Sequence, residues 1–96
     1  MSGFRGTVYR LGTSQAVAYT DTAAASANAF GAGTQVVRVS STTGCHIRFG
    51  SAPTALTADS FLKAGEPEYF VVAPGQKVSA IRTTTSGTLT VTEVSG

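Results

Sequence analysis

The chain has very little charge and few of the residues that carry chemistry. Of its 96 residues, 12% are Asp, Glu, Lys or Arg, and the formal net charge is +2. It contains one cysteine, one histidine and no tryptophan. A single cysteine excludes an intrachain disulfide, and one cysteine with one histidine supplies too few ligands for a closed zinc site. Because no cluster of Lys and Arg is present, we expect no nucleic-acid partner.

Long hydrophobic runs are missing as well. No stretch approaches the roughly 20 consecutive apolar residues that span a bilayer, so we expect no membrane partner. No apolar segment typical of a signal peptide follows Met1, which predicts synthesis in a cytoplasm. Leu, Ile, Val and Phe together supply only 21 residues. Such a core is lean for one domain of this length, and oligomerisation is the remaining way to bury more surface.

The sequence is rich in small residues, and its apolar and polar residues alternate along short runs. Ala, Thr, Ser and Gly fill 50 of the 96 positions. Apolar and polar residues alternate in short runs, which is the pattern of half-buried strands. The predicted strands are 4–9, 16–20, 35–41, 45–49, 61–62, 68–73, 77–83 and 88–94. Short strands separated by turn signals predict an all-β chain, a small antiparallel β-sandwich or jelly-roll-like barrel of about seven or eight strands, forming one domain over residues 1–96.

Three segments carry more particular predictions. Gly12-Thr13 is predicted to break the chain between the first two strands. Residues 22–34 are rich in alanine but lack an amphipathic period, which predicts a loop pinned to the body by Phe30; a short helical turn over 23–29 is the alternative. The run 68–73 has four successive apolar residues, and this predicts a strand that is covered on both faces.

The last third of the chain adds two local predictions. Ala73-Pro74-Gly75-Gln76 fits a type II turn, in which Gly75 takes a positive φ. Val78 and Ile81 fall on opposite faces of the following strand. Either both faces of that strand are covered or a bulge intervenes.

Cys45 and His46 are adjacent and invite comparison with a nucleophile and its base. Neighbouring residues of a strand point to opposite faces, so these two side chains cannot hydrogen-bond to each other. Cys45 shares its face with Ile47 and Phe49, which predicts a small buried hydrophobe. His46 shares its face with Arg48, which predicts a surface or interface position. The sequence therefore predicts no enzyme, with no catalytic, cofactor-binding or metal-binding residue.

The charged residues suit contacts better than catalysis. Glu66 and Glu68 lie two positions apart, but a chain this small without tryptophan offers no deep cleft for glycoside hydrolysis. A solvated turn, or an arginine of another chain, is their expected environment. Arg38 and Arg48 point outward on successive predicted strands, which predicts a stripe on one sheet. Water is the expected environment of this stripe, and pairing with carboxylates of a neighbouring chain is the alternative.

Two further features suggest contacts between copies. Tyr69 and Phe70 must face opposite ways, so one is expected in the core and the other against a second layer or another subunit. Uncharged β-branched residues are expected on outer faces and turns, where monomeric proteins usually place Lys and Glu to prevent association. We therefore expect a homo-oligomer. The threonines concerned are Thr43, Thr57, Thr83, Thr84, Thr85, Thr88, Thr90 and Thr92. The candidate interface residues are Arg38, Arg48, His46, Glu66, Glu68, Tyr69 and Phe70.

Four segments carry a resemblance to a known group of proteins. They are CHIRFGSAPTA at 45–55, the stretch 62–71 that ends in Tyr69-Phe70-Val71, PGQKVSAI at 74–81 and TLTVTE at 88–93. In this order they resemble small proteins encoded among the virion structural genes of tailed bacteriophages. The resemblance covers residues 35–94 well and the first third of the chain loosely.

This resemblance implies a structural virion protein that is made in the host cytoplasm, has no catalytic activity and needs no cofactor. The favoured function is that of a capsid decoration (cement) protein, which stabilises the shell by bridging capsid subunits. Its partners would be the major capsid protein or other virion proteins. Capsid decoration proteins are commonly small β-rich trimers, so the resemblance favours a trimer as the oligomer. A neck, tail or fibre accessory protein of the virion is the alternative. A carbohydrate- or receptor-binding β-sandwich is a third function, for which Tyr9, Tyr19 and Tyr69 are the candidate aromatic contacts.

Overall fold

The computed structural model describes residues 10–95, with side chains from 11 to 94. The predicted strand over 4–9 lies outside this range. Within it the chain forms eight strands and no helix, which confirms the all-β prediction. The strands are β1 (Arg10–Tyr19), β2 (Ala24–Ala25), β3 (Val36–Ser41), β4 (Cys45–Gly50), β5 (Ser60–Leu62), β6 (Glu68–Val71), β7 (Lys77–Arg82) and β8 (Gly87–Ser95).

The strands form two four-stranded antiparallel sheets. Sheet I has the order β1-β8-β3-β6, and sheet II has the order β2-β7-β4-β5. The first strand therefore pairs with the last, the second with the seventh, the third with the sixth and the fourth with the fifth. Such a folded-over hairpin, whose successive pairs alternate between two sheets, is the arrangement of an eight-stranded jelly roll. The predicted sandwich of jelly-roll type is thus confirmed.

The inner faces of the two sheets share one core. Alternation along each strand sends every second side chain inward, and eleven of these inward residues, which form the centre of the core, are at most 4% exposed. Most are valine or smaller, as expected from the composition. Sheet I contributes Val17, Tyr19, Val37, Val39, Leu89 and Val91, and sheet II contributes Cys45, Ile47, Leu62, Val78 and Ala80.

Three phenylalanine rings fill one end of this core. The ring centroids of Phe30 and Phe49 are 6.3 Å apart, and those of Phe49 and Phe70 are 5.4 Å apart. Phe30 is 3% exposed and lies in the connection between β2 and β3. The prediction that Phe30 pins this connection to the body is confirmed.

The alternative prediction of a helical turn over 23–29 is wrong. Ala24 and Ala25 instead form β2, which pairs with Ala80 and Ser79 of β7. The next residue continues this contact, because Ser26 N–H donates to the carbonyl oxygen of Val78 over 2.8 Å. Pairing with β7 satisfies backbone groups of this segment, and it outweighs the helix propensity of alanine.

The predicted break at Gly12-Thr13 is also wrong, because β1 runs through it. The pairing of β1 with β8 shifts between Leu11 and Ser14, so Gly12 and Thr13 together oppose Glu93 in a β-bulge. A Cβ on Gly12 would lie 3.2 Å from the carbonyl oxygen of Glu93. Glycine therefore permits the close approach of the two backbones at the bulge.

β6 is shorter than predicted and is not covered on both faces. Phe70 points into the core, and Tyr69 points the other way, as the alternation requires. On that outer face Tyr69 is 49% exposed and Val71 is 85% exposed. The prediction of double coverage is wrong because β6 is an edge strand of sheet I, where an apolar run also arises from residues left on the surface.

The turn predicted in the last third of the chain is confirmed. Gly75 has a φ of 85°, and Gln76 N–H donates to the carbonyl oxygen of Ala73 over 3.2 Å, as the predicted turn requires. β7 pairs with β4 without a register shift, so no bulge intervenes, and its outer face is covered at Ser79 and partly at Ile81. Ser79 on the outer face is 1% exposed, because the connection between β4 and β5 covers it and Ala55 N–H donates to its Oγ over 2.9 Å.

Candidate interaction surfaces

The outer face of sheet I carries a row of four aliphatic side chains that crosses all four strands. Leu11 of β1 pairs with Val94 of β8, Val94 with Val36 of β3, and Val36 with Val71 of β6. Directly paired residues of antiparallel strands point to the same face, so the four form one row about 14 Å wide. At its two ends Leu11 is 65% and Val71 85% exposed, whereas between them Val36 is partly buried and Val94 is only 6% exposed. We call this set the aliphatic row.

Sequence reasoning missed the aliphatic row for a physical reason. The alternation of Val37 and Val39 places Val36 on the outer face of β3, but Val71 precedes a second valine, so β6 taken alone gives no sign of which of the two faces outward. The signal lies in the register between strands that are far apart in sequence, and Val36 and Val94 are brought together only by the winding of the sheets.

The rest of this face is small and uncharged apart from one arginine. Beside the aliphatic row lies a second row in which Ser14 Oγ and Thr92 Oγ1 are 2.8 Å apart, and Arg38 and Tyr69 continue it on β3 and β6. Arg38 is the only charged side chain on this face among residues 11–94. The predicted outward orientation of the β8 threonines is confirmed. The remaining residues of the face are Ala16, Ala18, Ser40, Thr88 and Thr90.

Arg38 and Arg48 do not form the predicted stripe. Arg38 lies on β3 in sheet I, and Arg48 lies on β4 in sheet II. The chain crosses from one sheet to the other at Thr43-Gly44, so the outer faces that carry the two arginines look to opposite sides of the sandwich. The prediction is wrong because successive strands of this fold are not neighbours.

Arg48 and His46 share the outer face of sheet II, as predicted, and both contact Asp59. Arg48 donates to Asp59 Oδ1 from Nη2 over 3.0 Å and from Nε over 3.3 Å. The Nδ1 of His46 lies 2.9 Å from the backbone oxygen of Asp59, and Leu56 N–H donates to Oδ2 over 2.8 Å. The N–H of Leu56, followed by the guanidinium of Arg48, holds the pKa of Asp59 below its ordinary value. Asp59 thus fixes the loop 51–59 onto sheet II.

A second exposed apolar feature lies on the same face. His46 pairs with Phe61 on one side and with Ile81 on the other, so the three side chains form a row across β5, β4 and β7. The rings of His46 and Phe61 are 5.6 Å apart, and Phe61 is 53% exposed. A Cβ on Gly44 would lie 3.0 Å from the Phe61 ring, so the ring rests on the Gly44 backbone.

The predicted acidic contacts lie near the start of β6. Glu66 follows β5 and pairs with Lys63 over 3.3 Å, with both side chains largely exposed. This is the solvated turn expected for Glu66. Glu68 begins β6 and is also exposed. Of the candidate interface residues, the structure brings Arg38 beside Tyr69 and His46 near Arg48, and it places Phe70 in the core.

Cys45 is buried among core residues and faces away from His46. Its exposure is 0%, and burial raises the pKa of the thiol, against smaller opposing effects of the Ser41 and Tyr19 hydroxyls. The predictions that Cys45 is a small buried hydrophobe and that the two side chains lie on opposite faces are confirmed. At neutral pH the thiol is protonated, and the thiol is a poor nucleophile.

The candidate aromatic contacts of a sugar-binding function are only partly available. Tyr19 is 1% exposed, and its hydroxyl donates to the carbonyl oxygen of Thr43 over 2.7 Å. Tyr9 lies outside the described residues. Tyr69 is half exposed, and Phe61 is an exposed ring that sequence reasoning did not single out.

Among residues 10–95, no group of three or more His, Cys, Asp and Glu side chains is placed to hold a metal ion. The same part of the chain has no helix long and apolar enough to cross a membrane. Comparisons with models of protein families, with curated proteins and with solved structures give no match.

Proposed function

We propose that this protein is a structural component of a tailed-bacteriophage virion, and that it serves as a capsid decoration protein that bridges capsid subunits. The observation that carries the proposal is the outer face of sheet I, with its aliphatic row and its nearly uncharged surroundings. The jelly roll is an architecture used by viral capsid and lectin domains, which agrees with the proposal but cannot assign a function alone. The resemblance of residues 35–94 to small virion proteins adds to it.

In this proposal the outer face of sheet I packs against the shell. Its exposed apolar side chains, Leu11 and Val71, lie among polar residues, and exposed apolar surface bordered by polar residues is typical of a protein interface. Leu11 and Val71 would lose their contact with water on binding, and a fully buried aliphatic side chain contributes about 1.5–3 kcal/mol. The small alanine, serine and threonine side chains let a second surface approach closely. Arg38 would pair with a carboxylate of the capsid protein, as arginine does at many interfaces.

We further propose that the protein acts as a homo-oligomer, with a trimer favoured, on the surface of the virion. The lean core and the low surface charge support association. The row of Phe61, His46 and Ile81 on the opposite face supplies a second surface, so one copy could contact both the shell and a neighbouring copy. The protein would be made in the host cytoplasm and would perform no catalysis.

Binding to capsids that were assembled without this protein tests the proposal. Val71→Asp places a charge at the most exposed end of the aliphatic row, and we expect it to weaken binding at least tenfold without unfolding the chain, because Val71 is 85% exposed. Leu56→Asp is the matched control, since Leu56 is 51% exposed and lies on the side of sheet II. Wild type that does not bind, or two variants that bind alike, would contradict the proposal.

The alternative of a neck, tail or fibre protein would use the same face of sheet I. The copy number per virion separates the two functions, since a decoration protein follows the capsid subunits in number and a neck or tail protein does not. A carbohydrate-binding role would depend on Phe61 and Tyr69, and a glycan array without binding would exclude it.

A further inference from the structure

We propose that the open edge between β4 and β6 binds an extended peptide segment of a partner protein. The segment would insert one apolar side chain into the pocket that Ile47, Phe49 and Phe70 line, and place a basic side chain beside Glu68. This inference concerns a different surface from the outer face of sheet I, and it holds whether or not the protein belongs to a virion.

The first observation is that β5 covers only part of its neighbour. β4 runs Cys45–Gly50, but β5 pairs only with residues 45–47. Beyond Ile47, β4 is itself the edge of sheet II. The loop 51–59 does not continue the pairing, because Ala55 and Asp59 hold it over the outer face of the sheet.

The second observation is an unpaired peptide group on that edge. Thr83 N–H donates to the carbonyl oxygen of Gly44 over 3.2 Å. Gly44 and every second residue after it therefore point their backbone N–H and C=O groups toward β7. Phe49 is one of the intervening residues and turns its N–H and C=O toward the open side. Within residues 10–95 neither group has a hydrogen-bond partner. A strand added here would pair with Phe49, as in peptide recognition by β-augmentation.

The third observation is a pocket beside this edge, with a volume of about 250 Å³. Ile47, Phe49 and Phe70 form its apolar lining, and Ser60, which pairs with Ile47 and is exposed, also lines it. Small-molecule sites usually measure about 300–1,000 Å³, so this pocket is small for a drug-sized ligand. It suits a single aliphatic side chain of a strand that runs along the edge.

The charges around the groove define the rest of the occupant. Arg48 and Asp59 lie at the rim and neutralise each other across 3.0 Å. Glu68 is exposed and forms no salt bridge within the described residues. It points to the same side of β6 as Phe70, about 7 Å away along the strand. Glu68 therefore gives this groove a negative charge, which complements a Lys or Arg of the peptide two positions from its apolar side chain.

A titration followed by backbone NMR tests this inference. The probe is a seven-residue peptide with leucine at its central position, lysine two positions later and threonine at the other positions. We expect chemical-shift changes centred on the amides of Phe49 and Phe70. Replacing the leucine by serine should weaken binding about tenfold to a hundredfold, because the burial of one aliphatic side chain is lost. Replacing the lysine by glutamate should weaken it less.

Two surface variants and one control sharpen the test. Ser60→Leu should block the pocket and abolish binding, whereas Thr57→Leu in the exposed loop should leave it unchanged. Glu68→Lys should reverse the preference between the lysine and glutamate peptides. The inference is overturned if the peptides cause no shifts at Phe49, if the leucine and serine peptides bind equally, or if the shifts centre on another edge.

Discussion

Tyr19 shows how a single buried hydroxyl can hold one end of the sandwich. Its OH donates to the carbonyl oxygen of Thr43 and accepts from Thr43 N–H over 3.2 Å, although the residue is only 1% exposed. Gly87 lies against this contact, and a Cβ there would come within 2.8 Å of the hydroxyl and collide with Thr43 Oγ1. The three residues therefore depend on one another.

Tyr19→Phe should lower the free energy of unfolding by about 1–3 kcal/mol, because it removes a buried hydrogen-bonding group and leaves backbone groups of Thr43 without a partner. Urea denaturation measures the change. Thr90→Val, at an exposed position of β8, is the control and should change stability by less than about 0.5 kcal/mol. Equal effects of the two substitutions would show that the Tyr19 hydroxyl contributes nothing special.

At this scale the sequence predicted the direction of side chains better than their partners. The alternation along β4 placed Cys45 inside and His46 outside, and that depends only on strand geometry. The partner of Tyr19 could not be predicted, because Thr43 is 24 residues away and belongs to a connection between sheets. The same holds for Asp59, whose contacts with His46 and Arg48 require the loop to fold back over β4.

The loop 51–59 is an element without regular structure that is held by side chains. Its Asp59 carboxylate accepts from Leu56 N–H and from the Arg48 guanidinium. These contacts favour the ionised form, so the pKa of Asp59 in the folded protein lies below its ordinary 3.8. A lowered carboxyl pKa stabilises the fold above the ordinary value, and this contribution is lost as the pH falls through the lowered pKa.

Asp59→Asn should therefore be less stable than wild type at neutral pH, and the difference should shrink as the pH falls below 3.8. Thermal melting over a pH series measures this. Glu66→Gln is the control, because its pair with Lys63 is largely exposed and such pairs contribute little. A difference between wild type and Asp59→Asn that persists unchanged in acid would contradict the role given to the carboxylate.

The strands that sequence patterns predicted best are those with a clear period of two. β3, β4 and β8 have buried valine, leucine or isoleucine at alternate positions, and their bounds fall within one or two residues of the prediction. The errors occurred where a neighbouring strand decides the outcome. Pairing with β8 continues β1 through Gly12-Thr13 as a β-bulge. β6 lies at the edge of sheet I, so Val71 stays exposed to solvent.

At the scale of the whole molecule, composition and spacing were sufficient for the fold class but not for the surfaces. The order of the strands follows from pairings between distant segments, and it separates Arg38 from Arg48 by placing them on different sheets. The same winding aligns Leu11, Val94 and Val36 into part of the aliphatic row. A surface built from four strands is visible only after their register is known.

Oligomerisation belongs to the same scale. A lean core and a nearly uncharged face favour association, and we expect the purified protein to have the mass of a trimer in sedimentation-equilibrium measurements. Phe61→Asp, on the face of sheet II proposed for contacts between copies, should shift the mass toward that of a monomer. Ala58→Asp, in the exposed part of the loop 51–59, serves as the control. A wild-type protein that is monomeric at every concentration would contradict this part of the proposal.

The location of this chain in the virion decides whether it is a capsid decoration protein. Cryo-electron microscopy of virions that carry this chain should show the jelly roll on the capsid shell, with the outer face of sheet I against capsid subunits and both Leu11 and Val71 buried in the contact. Absence of the protein from the virion, its location at the neck or tail, or a shell-bound jelly roll with this face turned to solvent would contradict the account.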